Sequence, residues 1–422
     1  MPETDLSRRA VVTGLGAVTP IGNDHPTFWR NLVAGVSGGG PITSFDASAF
    51  EVRIAAEVKD FDPTVAMDRK MARRMSRFIH FAMAAGKEAV ADSGLDFSDW
   101  SPERRDRVAV IVNTGGGGVE QITIGTDVLT TKGPNSVSPF AFPALSASMG
   151  ACQLSMEYRL TGPVITQSAA CATSVICFLD ALRLIQRGEV DVVLAGGTEA
   201  PLLPIGFAAL GNMGALSKRN DEPQKASRPF DRHRDGFLYG EGGGVVVVES
   251  AKHALERGAN IRAEVLGASL TADAFHISAP EPTGRGQRLA ITKAMQDAGV
   301  APDEIDYIAA HGTSTPLNDV AETRAIKAAL GDHAYKVSIS GPKSMVGHTI
   351  GGAGVVGALA AIGAIREGVI PPTINLEEPD LPECDLDYTP LVARKRRVET
   401  AMINGFGFGG QNAVAVFRRF EA

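Results

Sequence analysis

The chain is expected to adopt a layered α/β fold, on three observations. Short β-branched runs alternate with helical patterns, the helical patterns end on glycine, and the series restarts past the middle of the chain. Alternation of this kind sets helices against a sheet that is expected to be mostly parallel. "RVAVIV" (107–112), "VDVVLAGG" (190–197) and "GGVVVVES" (243–250) have the β-branched composition of strands covered on both faces. "FIHFAMAAGKEAVADSG" (78–94), "ATSVICFLDALRLIQRG" (172–188) and "GRGQRLAITKAMQDAG" (284–299) are expected helices, each with a glycine placed to end it.

The second series begins with a strand in "AEVLGASLT" (263–271) and a helix over 286–298. A strand in "IDYIAAHGTST", a helix over 318–330, a strand in "KVSISG" and a helix over 352–367 follow. "AMINGFGFGGQNAVAVF" (401–417) is expected to close the chain as a hairpin with a glycine-rich turn. The restart divides the chain near 259 into two α/β halves, 1–259 and 260–422. No long Pro/Ser-rich linker separates them, so an extensive shared interface is expected.

Composition narrows the function classes. The 422 residues are 44% hydrophobic and 21% charged, ordinary values for a globular protein with a large core. A net charge of −7 argues against a general nucleic-acid binder. The 47 glycines cluster, as in "GGGG" (115–118) and "GFGFGG" (405–410), which implies tight turns and close backbone approaches. The four cysteines, Cys152, Cys171, Cys177 and Cys384, have neither paired nor metal-ligand spacing. The amino-terminal residues carry no apolar leader, and "AGVVGALAAIGAI" (353–365) falls short of a bilayer span. A reduced, cytoplasmic protein without membrane contact is expected.

Two kinds of side chain carry the chemistry. Cys171 in "QSAACATSVI" follows a strand-like segment and precedes a helical pattern. Near the first turn of a helix, free backbone N–H groups stabilise a thiolate, and Ala169, Ala170 and Ala172 leave room for a substrate. On these residues alone a nucleophile and a packed thiol are both open, whereas Cys177 inside the helix is a packing residue. His311 opens the polar turn "HGTSTPLND", and His348 lies in "GPKSMVGHTIGGAG" with Lys343. Two histidines at such turns in an α/β chain, together with Lys343, favour a site at the ligand-facing edge of the sheet. No GK[ST] phosphate loop, no G-x-S-x-G elbow and no zinc spacing is present, and "GLGAVTPIG" (14–22) matches a dinucleotide fingerprint only loosely.

"SAACATS", "AHGTSTPLND", "GPKSMVGHTIGGAG" and "NGFGFGGQN" together resemble the β-ketoacyl-[acyl-carrier-protein] synthases, nearest to the type II condensing enzyme synthase II. The resemblance runs from "RRAVVTGLGAVTPIG" through "SRPFDRHRDGFLYGEGGG" (227–244) almost to the carboxyl terminus. It implies the thiolase fold, two similar α/β halves in a five-layered αβαβα sandwich, and a homodimer. It makes Cys171 the nucleophile that takes an acyl chain from acyl-carrier protein as a thioester. His311 and His348 would assist decarboxylation of a malonyl thioester, with Lys343 in the same polar network facing Glu322. The N–H groups of Cys171 and Phe408 would form an oxyanion hole, and the Phe408 ring would gate access. Thr313, Thr315 and Ser278 match positions that bind the phosphopantetheine arm, which arrives on the carrier protein, so no separate cofactor and no metal is expected.

The pattern also separates relatives. Thiolases need a second cysteine near a final glycine motif, and Cys384 in "LPECDLDY" fits that poorly. Initiation-type synthases place asparagine where "VGHTIGG" has histidine, and a chain-length-factor subunit would lack the cysteine. Gly116 occupies a position where many synthase II enzymes carry a bulky aliphatic residue, so a wider acyl channel is expected. "DRKMARRMSR" (68–77) concentrates Lys70, Arg73 and Arg74 in an acidic chain. The family's equivalent surface meets acidic carrier protein, with Lys218 and Arg219 as secondary candidates. A polyketide ketosynthase and a non-catalytic subunit of the same fold are the alternatives to a fatty-acid condensing enzyme.

Overall fold

The structure, a computed structural model, describes residues 5–421. Among the described residues ten strands form one continuous sheet. In the first half these are β1 (Ala10–Val18), β2 (Val108–Asn113), β3 (Val164–Ile165), β4 (Val192–Glu199) and β5 (Gly242–Ser250). The second half supplies β6 (Ala263–Ala272), β7 (Tyr307–Ala309), β8 (Ser338–Ser340), β9 (Thr400–Gly407) and β10 (Gln411–Arg418). Their order across the sheet is β8-β7-β9-β10-β6-β1-β5-β4-β2-β3. Outward from the centre the first half runs 1-5-4-2-3 and the second 6-10-9-7-8, so each strand of one half has its counterpart in the other. The halves join where Ala10–Val12 of β1 pairs antiparallel with Ala263–Val265 of β6.

Helices complete five layers. α1 (Arg77–Ser93) and α2 (Met149–Tyr158) cover the outer face of the first half, and α4 (Arg285–Ala298) and α5 (Pro316–Leu330) that of the second. Between the halves lie α3 (Ile176–Gln186) and α6 (Ala353–Glu367), each packed on strands of both. This is the αβαβα arrangement. The expected hairpin at the carboxyl end forms, with β9 and β10 joined through Phe408–Gly410.

The sheet corrects one expectation: five of its nine pairings are antiparallel. The all-apolar runs reflect cover on both faces, which is independent of strand direction. A three-residue turn between β9 and β10 permits only an antiparallel pair. The apolar stretch of α6 is also longer than expected: Ile350–Glu367 reaches 18 residues, long and apolar enough to cross a membrane, and 78% of it is buried inside the protein. Burial between the two halves of the sheet accounts for its composition.

Close packing of α1 on β1 depends on glycine in the strand. A Cβ at Gly14 would lie 2.7 Å from the Ser93 Cβ and closer still to the Ala89 carbonyl. Beyond Val12, β1 separates from β6, and carboxylates of α1 take up the freed donors. Asp92 accepts from Leu15 N–H at 3.0 Å and Glu88 from Ala17 N–H at 2.9 Å.

Phe178 on α3 and Phe417 on β10 meet edge to face across the halves, ring centroids 5.0 Å apart and both fully buried. Phe178→Ala is expected to lower stability by about 3–5 kcal/mol in denaturant unfolding, and Val65→Ala on the surface by no more than about 0.5 kcal/mol.

Candidate active site

Cys171 does not lie in the first turn of an α-helix. Ala170–Val175 forms a 3-10 turn, and α3 begins only at Ile176. Ala170 takes a left-handed φ of 48°, a strain on the order of 1–3 kcal/mol that surrounding bonds must hold. Asn113 supplies part of that hold, donating to the Thr173 carbonyl at 3.0 Å and accepting Gln167 N–H at 2.9 Å. Thr173 Oγ1 accepts Ala169 N–H at 2.8 Å. The turn is therefore pinned on both sides of Cys171.

Burial dominates the thiol. It pushes Cys171 up to about 11, against the opposing pull of the Lys343 ammonium and the N–H groups of Phe408 and Cys171 itself. The expected thiolate stabilisation is thus outweighed: at neutral pH the resting group is a thiol. Cys177 is fully buried and pushed further up, in keeping with a packing residue.

His311 follows β7. Glu322 of α5 fixes the start of its turn, accepting the N–H groups of His311 and Gly312, each at 2.7 Å. The same carboxylate accepts Asn404 Nδ2 at 2.9 Å. Lys343 Nζ donates to the His311 carbonyl at 2.6 Å and faces His311 Nδ1 at 3.4 Å. Lys343 and Glu322 act on each other within this network without closing an ion pair among the described residues. Burial brings Lys343 down to about 8, with Glu322 opposing.

His348 is held by its backbone and by its ring. Its N–H donates to the Leu238 carbonyl at 2.7 Å, and its carbonyl accepts Gly240 N–H at 3.0 Å. Nδ1 accepts Ile350 N–H at 3.3 Å, which places the proton of a neutral ring on Nε2. That Nε2 is buried and has no protein partner. For His311, an ammonium facing Nδ1 enforces the same tautomer. Burial and then Lys343 hold both imidazoles well below 6.5, so both are neutral at pH 7.

The two rings stand nearly perpendicular with centroids 5.5 Å apart. A ligand atom from each of Cys171, His311 and His348 lies within 4.8 Å of the others. These three could hold a metal ion, although the Lys343 cation beside His311 works against a dication.

The three residues meet in a cavity of about 320 Å³ that Thr313, Thr315, Ser278 and Phe408 also line. Thr313 Oγ1 and Thr315 Oγ1 lie 2.9 Å apart. The motif "SRPFDRHRDGF" braces this wall. Arg228 N–H donates to Ser314 Oγ at 2.9 Å, and Arg234 donates to the carbonyls of Thr315 and Pro316, each at 3.1 Å.

Gly116 does not join this group. It is exposed and lies outside the lining of the cavity, because its N–H is tied to Glu199 at 3.0 Å. The expected channel widening therefore has no support in this cavity. Lys70 and Arg73 are exposed, and the Arg74 guanidinium stacks on Phe140 at 4.2 Å. Arg77, from the same stretch, is committed to Glu241 by two bonds of 2.8 and 2.7 Å. Lys218 pairs with Glu51 at 2.6 Å and Arg219 with Glu222 at 3.7 Å.

Glu199 and Asn404 were not singled out by the sequence reading. Asn404 sits inside the "NGFGFGGQN" motif. The signal for Glu199 was available: a carboxylate ending the apolar run of β4 cannot be buried there without several donors.

A buried thiol beside two neutral imidazoles, on this five-layer sandwich, defines a thiol-dependent acyl-transfer enzyme. Comparison with known proteins agrees. Residues 7–254 match the family model "Beta-ketoacyl synthase, N-terminal domain", and residues 262–377 match its C-terminal counterpart. The chain is 47% identical to the "3-oxoacyl-[acyl-carrier-protein] synthase 2" of Synechocystis sp., over 98% of this chain and 99% of that protein. Among solved structures, "The ishigamide ketosynthase/chain length factor" superposes with a TM-score of 0.91 at 37% identity, covering 98% of this chain and 100% of that one. A type II polyketide ketosynthase solved with its acyl-carrier protein, bound to the hexaketide, gives 0.88 at 32% identity, with the same coverage. The chain belongs to the β-ketoacyl synthase family, and is a condensing acyltransferase with the thiolase fold.

Alkylation by iodoacetamide should report the buried thiol. Its rate at Cys171 is expected to rise about tenfold per unit between roughly pH 7 and 10, as the thiolate fraction grows toward a midpoint near 11. Stopped alkylation with mass mapping measures this, and Cys177 should stay unlabelled.

Proposed function

We propose that this chain elongates acyl groups carried on acyl-carrier protein by decarboxylative Claisen condensation with malonyl-carrier protein. In the first step Cys171 attacks the carrier thioester; the acyl group passes to sulfur and the carrier leaves as its free thiol. In the second, malonyl thioester loses carbon dioxide, and the resulting enolate attacks the Cys171 thioester. That releases Cys171 and leaves a β-ketoacyl chain, two carbons longer, on the carrier. Splitting the reaction at a thioester gives ping-pong kinetics.

One observation carries this reading: two buried, neutral imidazoles, both with the tautomer that puts a proton on Nε2, share a cavity with the Cys171 sulfur. Fixed N–H donors in such a site stabilise an enolate oxygen far better than water does. The N–H groups of Cys171 and Phe408 act together on the sulfur, which favours them as the oxyanion hole of the thioester steps. Thr313, Thr315 and Ser278 would hold the phosphopantetheine arm in the cavity, and Phe408 would gate it. Neither a separate cofactor nor a metal is required by this chemistry.

The identity to a synthase 2 of fatty-acid type favours fatty-acid elongation. The likeness to polyketide ketosynthases keeps that pathway as a second reading, and intact Cys171, His311 and His348 argue against an idle subunit. A homodimer is supported by exposed Ile122, Ile124, Leu129 and Phe142, which leave apolar surface on the single chain. Free cysteines and the burial of α6 are in keeping with a cytoplasmic location.

Cys171→Ala should abolish the acyl-enzyme seen by intact mass. His348→Ala should keep that adduct while malonyl decarboxylation, read as carbon dioxide release, falls on the order of 10²–10³-fold. An acyl-enzyme that never forms on the native chain, across saturated carrier-bound chains and polyketide starters, would sink the proposal.

Exposed Lys70 and Arg73, with Arg74 beside them, are the proposed landing site for the acidic carrier protein. Arg73→Glu with Arg74→Glu should raise KM for carrier substrates and flatten its salt dependence, leaving alkylation of Cys171 unchanged. Steady-state kinetics over a salt series checks this.

A further inference from the structure

Glu199 ends β4 beneath the site and is 1% exposed. Four donors converge on its carboxylate. Oε1 accepts Thr114 Oγ1 at 2.9 Å and Gly116 N–H at 3.0 Å; Oε2 accepts Gly115 N–H at 2.6 Å and Gly351 N–H at 3.1 Å. No cation pairs with it among the described residues. The first three donors come from the "NTGGGG" loop of one half, and the fourth from "HTIGG" of the other.

The glycines of both motifs fit this carboxylate. A Cβ at Gly115 would lie 2.7 Å from Oε2, and one at Gly351 would overlap that oxygen outright. Between Gly351 and His348 lies Ile350, a β-branched residue at a φ of +45°. Such a conformation persists only where neighbours hold it. Ile350 N–H donates to His348 Nδ1. The residue that fixes the tautomer of His348 is thus itself strained, and the bond from Gly351 to Glu199 restrains the next peptide.

We propose that Glu199 is a positioning residue for His348: by clamping the Gly351 N–H it holds the strained Ile350 turn, and so keeps the His348 proton on Nε2, facing Cys171. This rests on the condensing reading given above. Glu199 touches neither substrate nor reacting atoms and works through the turn. Its charge carries a second consequence, since it opposes ionisation of Cys171. The clamp therefore favours the condensing histidine at some expense to the thiolate.

Glu199→Gln and Glu199→Asp, in the full chain, are compared with the native protein in two half-reactions. Intact mass follows acylation of Cys171, and carbon dioxide release follows decarboxylation of malonyl-carrier protein. Native activity in both tests the condensing reading; only the variants test the clamp. In Glu199→Asp acylation is expected to stay within about threefold of native and in Glu199→Gln to hold or rise, while decarboxylation falls on the order of 10²-fold in both. Selective ¹⁵N-histidine spectra should show a single Nε2–H tautomer of His348 in the native chain and a mixture in the variants. Alkylation of Cys171 should shift to lower pH in Glu199→Gln, which loses the charge, and stay in place in Glu199→Asp, which keeps it. If Glu199→Gln fails to fold, Glu199→Asp still carries the kinetic split and the tautomer readout. Equal loss in both half-reactions, no loss in decarboxylation, or an unchanged His348 tautomer in a folded variant overturns the proposal.

Discussion

The contact between the 3-10 turn that precedes α3 and the first turn of α6 is the constraint on which the site depends. Ser174 Oγ accepts Val355 N–H at 3.0 Å, and Gly354 lies against Val175 with no room for a side chain. Cys171 is three residues before Ser174, and His348 is six before Gly354. That approach brings the turns of Cys171 and His348 together, where α3 and α6 fill one layer between the two halves of the sheet. The short seam of β1 and β6 sets the two halves of the sheet in register around that layer. Cys171 and both imidazoles thus come from different halves, and the turn of Cys171 is set against that of His348 by its packing on α6.

Placing the site in that layer removes it from water, and this decides its resting ionisation. Burial alone sets the direction for Cys171, His311, His348 and Lys343: each moves toward its neutral form. Two buried carboxylates lie around this group, and neither is paired with a cation at contact distance. Glu322 is satisfied by His311 N–H, Gly312 N–H and Asn404, and Glu199 by four donors. A carboxylate held by backbone donors fixes those peptides more tightly than a flexible lysine could, because each donor direction is set by the chain. The two act on opposite sides: Glu322 on the turn of His311, Glu199 on the turn of His348.

Much of this was legible in the sequence, and the rest failed for identifiable reasons. Strand and helix positions follow from apolar runs and glycine stops, because those depend on burial and local backbone freedom. Strand direction was not legible: "GGVVVVES" has the same composition whether β5 runs with β4 or against it. Of the residues that line the cavity, Cys171, His311 and His348 were legible from their turns, which leave polar and glycine signatures at strand ends, and Thr313, Thr315, Ser278 and Phe408 through the family resemblance. Their ionisation was not, because the sequence around Cys171 indicates a helix start and says nothing of how deeply the thiol is buried. Gly116 lies outside the cavity of the single chain, on the surface, and only Glu199, far along the sequence, shows what holds its backbone there.

The repeated topology explains why the two halves can differ so sharply in chemistry. β2 and β7 occupy equivalent places; after β2 comes the glycine loop at Thr114–Gly118, and after β7 comes His311 with its threonines. β4 and β9 are likewise equivalent; the first ends on Glu199 and the second leads into Phe408. β3 leads to Cys171 and α3, and β8 leads to Lys343, His348 and α6. Each pair of equivalent strand ends therefore carries different side chains on matching turns. Both members of a pair point at the same central layer, so a change of side chain at either end reaches the same cavity without any change of fold. The first half then holds a thiol and the carboxylate beneath it, and the second supplies the imidazoles, the lysine and Phe408. That asymmetry on a symmetric frame lets one buried volume bring together a thiol from one half and two imidazoles from the other.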